Sequence, residues 1–229
     1  MRLSPQQHRQ FKREIYGELA RIGQAIANPY RLELLELLAQ GEHSVEELAQ
    51  ELQLPLPATS QHLRVLREAR LVTTRRAGRH TFYRIADPSV LGLLRAVRTT
   101  AERQLAEVTM IIKRYLGDRS TYELETDLQE LVAAAERGDI LLLDVRPEPE
   151  YRAGHLPGAR LVPPDRLAAL PSALPRDITV VAYCRGPHCV YADEAVAVLR
   201  AAGFRAYRLR LGIPDFRLLG LPIVSEEAA

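Results

Sequence analysis

The sequence predicts two domains of different class: a mainly α first domain carrying one β-hairpin, over 1–117, and an α/β second domain on a central parallel sheet, over 122–229. Three observations lead there. The 229 residues suffice for two domains of about 100–150 residues each, and 47% hydrophobic with 26% charged residues is an ordinary globular composition. The apolar period is helical through the first half, whereas the second half alternates short apolar runs, ILLLDV and ITVVAY, with helical blocks. Residues 1–122 hold 19 Lys and Arg against 13 Asp and Glu, and 123–229 hold 12 against 16, so the halves carry +6 and −4. A basic first half suits a polyanionic partner and an acidic second half does not.

Several classes are excluded early. The longest apolar runs fall far short of the roughly 18–20 residues that cross a bilayer. MRLSPQQHRQFKRE has charge but no apolar secretory core, so the expected location is the cytoplasm. The two cysteines, Cys184 and Cys189, lie in one short segment rather than spread as a disulfide framework, which points to chemistry instead of architecture.

Residues 5–26 form one amphipathic helical pattern, and Asn28-Pro29 opens a second helix with Leu32, Leu34, Leu35, Leu37 and Leu38, ended by Gly41. Ser44 and Glu47 make a capping box for a short third helix that buries Val45, Leu48 and Leu52. After LPLP, the stretch ATSQHLRVLREARLV buries Leu63, Leu66 and Val72 and leaves Thr59, Ser60, Gln61, His62 and Arg64 as a polar face. A short helix, a turn and a second helix bearing donors and acceptors is the geometry that reads base edges in the major groove of double-stranded DNA. LVTTRRAGRHTFYRI then reads as two strands around Ala77-Gly78, with Arg75, Arg76, Arg79 and His80 as potential phosphate contacts at the tip. Residues 88–115 carry Val90, Leu91, Leu94, Val97, Leu105, Val108, Ile111 and Ile112 at helical spacing, one helix of about 42 Å whose stripe needs a partner surface.

This ordered series of blocks, ANPYRLELLELL, SVEELAQEL, SQHLRVLREARLV and RRAGRHTFYRI, resembles the winged helix-turn-helix regulators of the ArsR/SmtB family over roughly residues 15–115. The resemblance implies a homodimer with paired recognition helices. Many such relatives hold metals through thiolates before the recognition helix or through His and carboxylates on the last helix. Here SVEELAQ has no Cys, 88–115 has no His or Cys, and His8, His43, His62 and His80 have no ligand spacing, so no metal site is expected. His8 and His43 are expected at the surface.

In the second half, VVAYCRGPHCVYADEAVAVLRAAGF runs from a buried strand into a Gly-Pro loop and then an amphipathic helix. Cys184 stands at the strand-to-loop junction, where inward N–H groups and the helix dipole favour its thiolate, and Arg185 adds positive charge. LLLDVRPEPEYRAGHLPGAR, YCRGPHCVYADEAVAVLRAAGF and LRLGIPDFRLLGLPI resemble, in order, the blocks of a rhodanese-like domain. The resemblance implies that Cys184 cycles between thiolate and persulfide, with Arg185, Gly186, His188 and Cys189 completing the loop, and that Asp144, Arg146, Glu150, His155 and Gly158 shape the fold. The six-residue loop has sulfurtransferase length. Related phosphatase and arsenate-reductase loops run one longer and end in arginine, where this chain has Val190. Relatives often carry Gly-Gly and Trp where this chain has Leu211-Gly212 and Phe216.

Cys189 is placed to resolve a persulfide or sulfenic acid on Cys184 into a disulfide, or equally to be a buried helix-start cysteine. A zinc set of Cys184, Cys189, His188 and His155 is the minor alternative. The halves together predict a DNA-binding transcriptional regulator that senses reactive sulfur or redox state, using no cofactor and taking thiosulfate, polysulfide or a persulfide as sulfur donor. The alternative is a sulfurtransferase with a DNA-targeting module.

Overall fold

The computed structural model describes residues 3–226; Met1, Arg2 and residues 227–229, at the outer ends of the two expected domains, lie outside the described residues. The chain divides into two compact units, the first holding residues up to 38 with 42–90, the second 39–41 with everything from 91 onward.

In the first unit, α1 (Pro5–Ile26) begins with a capping box between Ser4 and Gln7 and with proline in its first turn. α2 (Pro29–Leu38) buries Leu34, Leu35, Leu37 and Leu38. β1 (His43–Ser44) leads into α3 (Val45–Glu51), whose start is fixed as the sequence predicts: Ser44 N–H donates to Glu47 Oε2 at 2.7 Å and Glu47 N–H donates to Ser44 Oγ at 3.2 Å. Such a cap is worth about 1 kcal/mol. α4 (Leu56–Glu68) starts where Pro55 and Pro57 are tolerated, before the helical hydrogen bonds need their missing N–H groups. Its Leu63 and Leu66 are fully buried, each contributing roughly 1.5–3 kcal/mol by leaving water.

β2 (Val72–Ala77) and β3 (His80–Ile85) pair antiparallel, and β1 joins the outer side of β3. Because Ala77 pairs with His80, the turn is Gly78-Arg79, one residue later than the sequence suggests. Gly78 has φ +60, the positive value that a two-residue turn with glycine first requires. His43 is a correction. It was expected at the surface, but it lies opposite Tyr83 in the ladder, its side chain is 16% exposed, and its Nε2 is buried without a protein partner.

Residues 88–115 do not form one helix. α5 (Ser89–Gln104) and α6 (Ala106–Leu116) are separated at Leu105, whose φ of −112 and ψ of 100 are extended. Gln104, Leu105 and Ala106 all favour helix, so propensity does not make the break. Leu105, Met110, Ile111 and Tyr115 stay exposed.

The rest of the second unit is a five-stranded, all-parallel sheet in the order β4-β8-β7-β5-β6. Along the chain these are β4 (Glu123–Leu124), α7 (Leu128–Arg137), β5 (Ile140–Asp144), α8 (Glu148–Ala153) and β6 (Arg160–Leu161), then β7 (Thr179–Tyr183), α9 (Tyr191–Ala201), β8 (Ala206–Leu209) and α10 (Ile213–Leu218). A 3₁₀ segment, Pro164–Ala173, follows β6. Both faces of the central strands are covered, as parallel sheets require. The alternation along β7 divides the core: Val180 and Ala182 join Ala192, Ala195, Val196 and Leu199 of α9, whereas Val181 and Tyr183 join α7 and Phe216 of α10. Cys184 continues the first set and belongs to the α9 side.

Candidate functional site

Two separate regions carry the predicted functional residues. In the first, α4 presents Ser60, Gln61 and Arg64 to solvent, with His62 half-buried. Thr59 is a correction. It is 0% exposed and its hydroxyl donates to the Pro55 carbonyl at 3.3 Å, so it fastens the first turn instead of facing outward. Its spacing to Leu63 and Leu66, four and seven residues, marks the buried face and is the signal that assigns it there. His62 packs its ring 5.7 Å from that of Tyr30, and burial, aided by Arg31, holds its pKa below the usual histidine value. Arg64 lies 3.8 Å from Glu68, an exposed pair that leaves it available.

In the hairpin, Arg76 and Arg79 are exposed, and His80 is 3.9 Å from Glu46. Arg75 is occupied differently. Its guanidinium forms an ion pair with Glu42 and lies over the Phe82 ring, 5.1 Å from the centroid. Arg76 and Arg79 thus extend from the hairpin into solvent, whereas Arg75 is engaged by Glu42.

The second region is the loop 184–189 after β7. Cys184 and Cys189 are joined as a disulfide, with Cα atoms 6.2 Å apart, inside the usual range of about 4.4–6.8 Å. The sequence left this pairing open, and it occupies both sulfurs of the suggested zinc set. Cys184 is 1% exposed, and Cys189 is partly exposed. The expected contribution of Arg185 needs correcting: its guanidinium is held bidentate by Glu150, which is 2% exposed, with Nε to Oε1 at 2.9 Å and to Oε2 at 3.1 Å. Its positive charge is thus matched by a buried carboxylate thirty-five residues away in sequence.

The loop's backbone is fixed from several sides. Cys189 N–H donates to the Gly186 carbonyl at 3.2 Å. A methyl group on Gly212 would meet the Arg185 carbonyl oxygen at 2.2 Å and that of Cys184 at 2.7 Å, so glycine is needed there for close approach of backbone. The Pro187 carbonyl accepts from Arg119 at 2.6 Å and, more weakly, from Arg208 at 3.4 Å. Asp193, in the first turn of α9, accepts from Arg119 at 2.7 Å and from the Tyr122 hydroxyl at 3.1 Å. Arg119 and Arg208 are buried, and among the described residues neither Nε has a hydrogen-bond partner, although Arg208 Nε lies 3.7 Å from Asp193 Oδ1. His188 Nε2 is 3.1 Å from Glu102 Oε1 on α5, and Arg210 donates to the other oxygen of Glu102 at 2.7 Å. Arg119, Asp193, Arg208 and Glu102 went unrecognised in the sequence because their partners are distant in the chain and charge counting does not reveal pairing.

The residues read as structural behave so. Asp144 and Arg146 form a fully buried pair at 2.6 Å, and Arg146 also donates to the Gly154 carbonyl at 2.7 Å. His155 stacks on Tyr151 with ring centroids 3.7 Å apart, and Gly158 has φ +72. No cluster of three or more His, Cys, Asp or Glu among the described residues is arranged to hold a metal ion, and no helix among them is long and apolar enough to cross a membrane.

A helix-turn-helix followed by a basic β-hairpin, in one chain with a parallel α/β domain whose cysteine loop follows a central strand, defines a DNA-binding transcriptional regulator with a rhodanese-like second domain. Residues 28–74 match the family of bacterial regulatory proteins of arsR type, and residues 127–218 match the rhodanese-like domain. The HTH-type transcriptional regulator Rv0324 of Mycobacterium tuberculosis is 41% identical over 212 residues, covering 93% of this chain and 92% of that protein. The chain accordingly belongs to the ArsR family of transcriptional regulators, in the form that carries a rhodanese-like domain. A biofilm growth-associated repressor of Agrobacterium fabrum is 45% identical over 80 residues, 35% of this chain and 68% of the repressor. Among solved structures, the homodimeric winged helix-turn-helix domain of a possible ArsR-family regulator from Mycobacterium bovis is 36% identical with a TM-score of 0.41, covering 46% of this chain and 93% of that one.

Proposed function

We propose that the protein binds double-stranded DNA as a homodimer and that the sulfur state of Cys184 sets its affinity, with polysulfide, thiosulfate or a persulfide as sulfur source. In this reading residues 1–117 bind DNA and dimerise, and 122–229 respond to sulfur. Ser60, Gln61, His62 and Arg64 read bases, while Arg76, Arg79 and His80 contact phosphate. The exposed apolar side chains Phe11, Ile15, Tyr16 and Leu19 of α1 and Met110, Ile111 and Tyr115 of α6 support a second copy as partner.

The observation that carries the sensing role is that Cys184 and Cys189 are paired in one loop, with Cα atoms 6.2 Å apart. The Cys184 thiolate takes a sulfur atom from polysulfide, leaving a polysulfide one sulfur shorter and a persulfide on the protein. Attack by the Cys189 thiolate on the inner sulfur then forms the disulfide and expels hydrosulfide. Because His188, between them, is hydrogen-bonded to Glu102 of α5, a change in the loop acts on the helix that leads into α6 and its exposed apolar side chains. The burial of Cys184 and its pairing with Cys189 favour stoichiometric modification over repeated turnover.

The test treats the full chain with polysulfide and compares three readings: the mass added at Cys184, steady-state transfer from thiosulfate to cyanide, and affinity for a duplex enriched from random sequence by the protein itself. Sensing predicts one sulfur or one disulfide per chain, absent in Cys184→Ser, with an affinity change of about tenfold. Rapid turnover with unchanged affinity supports the sulfurtransferase instead.

A further inference from the structure

We propose that Cys189 is where a low-molecular-weight thiol enters the Cys184–Cys189 disulfide, with Cys184 as the sulfur expelled. The inference rests on the reading that this pair is functional, and it names the chemistry that resets it. Thiol–disulfide exchange begins with a thiolate reaching one of the two sulfurs, so unequal access decides which is attacked. The two cysteines are unequally exposed, although Cys189 also packs against the edge of the core cluster that holds Cys184. Cys184 is 1% exposed at the end of β7, and the strand's alternation packs it with Ala182, Leu143, Val145 and Ala192. Gly212 closes the backbone side, since even one added methyl group there would lie 2.7 Å from the Cys184 carbonyl oxygen. Cys189 is partly exposed, and its chain neighbours His188 and Val190 are both exposed.

In the first step an external thiolate attacks Cys189 Sγ, a bond forms between its sulfur and Cys189, the Cys184–Cys189 bond breaks, and the electron pair leaves on Cys184 as thiolate. In the second, another molecule of the same thiol attacks the mixed disulfide. The small disulfide departs and Cys189 is left as thiolate, the two thiols having supplied two electrons. The order of events regenerates Cys184, the sulfur acceptor in the proposed function, before Cys189.

Glutathione serves as the probe. The oxidised full chain is mixed with glutathione, quenched at intervals with excess N-ethylmaleimide and mapped by peptide mass spectrometry. Chains carrying one glutathione are expected to hold it on Cys189 and maleimide on Cys184, by about tenfold over the reverse. Glutathione chiefly on Cys184, or divided equally, overturns the proposal.

Where the mixed disulfide turns over too fast to collect, single-cysteine chains decide. Ellman's reagent is expected to label Cys189 in Cys184→Ser about tenfold faster than Cys184 in Cys189→Ser, and equal or reversed rates contradict the assignment. Neither measurement reads DNA binding. An adduct on Cys189 with indifferent DNA affinity removes the sensor and leaves this assignment standing, and an adduct on Cys184 with altered affinity does the opposite.

Discussion

Single residues in this chain are held by contacts that make their roles separable. Gly212 is the clearest case, because the Arg185 carbonyl lies where its Cβ would be. Gly212→Ala forces the Arg185–Gly186 peptide to move and is expected to destabilise the second unit by about 1–3 kcal/mol in urea unfolding. It should also slow disulfide formation, which thiol titration reads independently. His62 gives a pH prediction. Its folded pKa lies below the ordinary histidine value of about 6.5, chiefly through burial and then through Arg31, so the unfolded chain binds the proton more readily. Its stabilising share is therefore complete above about pH 6.5 and is lost as pH falls through the lower folded value. His62→Gln should flatten the stability profile of the first unit between roughly pH 7 and 5; an unchanged slope would show that His62 is not the group responsible.

At the scale of elements, the proposed function assigns base contacts to α4 and phosphate contacts to the hairpin. Gln61→Ala is expected to cost about 1–3 kcal/mol on a selected duplex and little on random sequence, because it would remove the base contact proposed for it. Arg79→Ala should weaken both alike and lower the slope of log affinity against log salt by about one. A titration over several salt concentrations distinguishes them. Local signals made much of these elements legible in the sequence: the Ser44–Glu47 box starts α3, LPLP delays α4, and Gly78 turns the hairpin. The same local logic misses the break at Leu105, where three helix-favouring residues surround an extended backbone. It also misses the Glu150 partner of Arg185 and the Arg119–Asp193 anchor of Pro187, contacts across 35 to 74 residues that no periodicity encodes. Thr59 is a different kind of miss, since its helical phase with Leu63 was available to be read.

The whole molecule joins a helix-turn-helix and a cysteine-bearing parallel sheet in one chain. The exposed apolar side chains of α1 and α6 predict that Ile111→Glu, placing a charge on that stripe, shifts the protein from dimer to monomer in sedimentation and weakens DNA binding about tenfold or more. A variant that stays dimeric would move the interface elsewhere. The cysteine loop supplies the signal in this scheme, and linkage requires that whatever a disulfide does to DNA affinity, DNA does to the disulfide.

The most direct measurement is a titration of one duplex with the same preparation in three states: reduced, polysulfide-treated, and treated then restored with thiol. Affinity should change by about tenfold on treatment and return on reduction, and Cys184→Ser should ignore both. Three superimposable curves, obtained while mass spectrometry finds the Cys184–Cys189 bond formed, would separate the sulfur chemistry from DNA recognition and contradict the account.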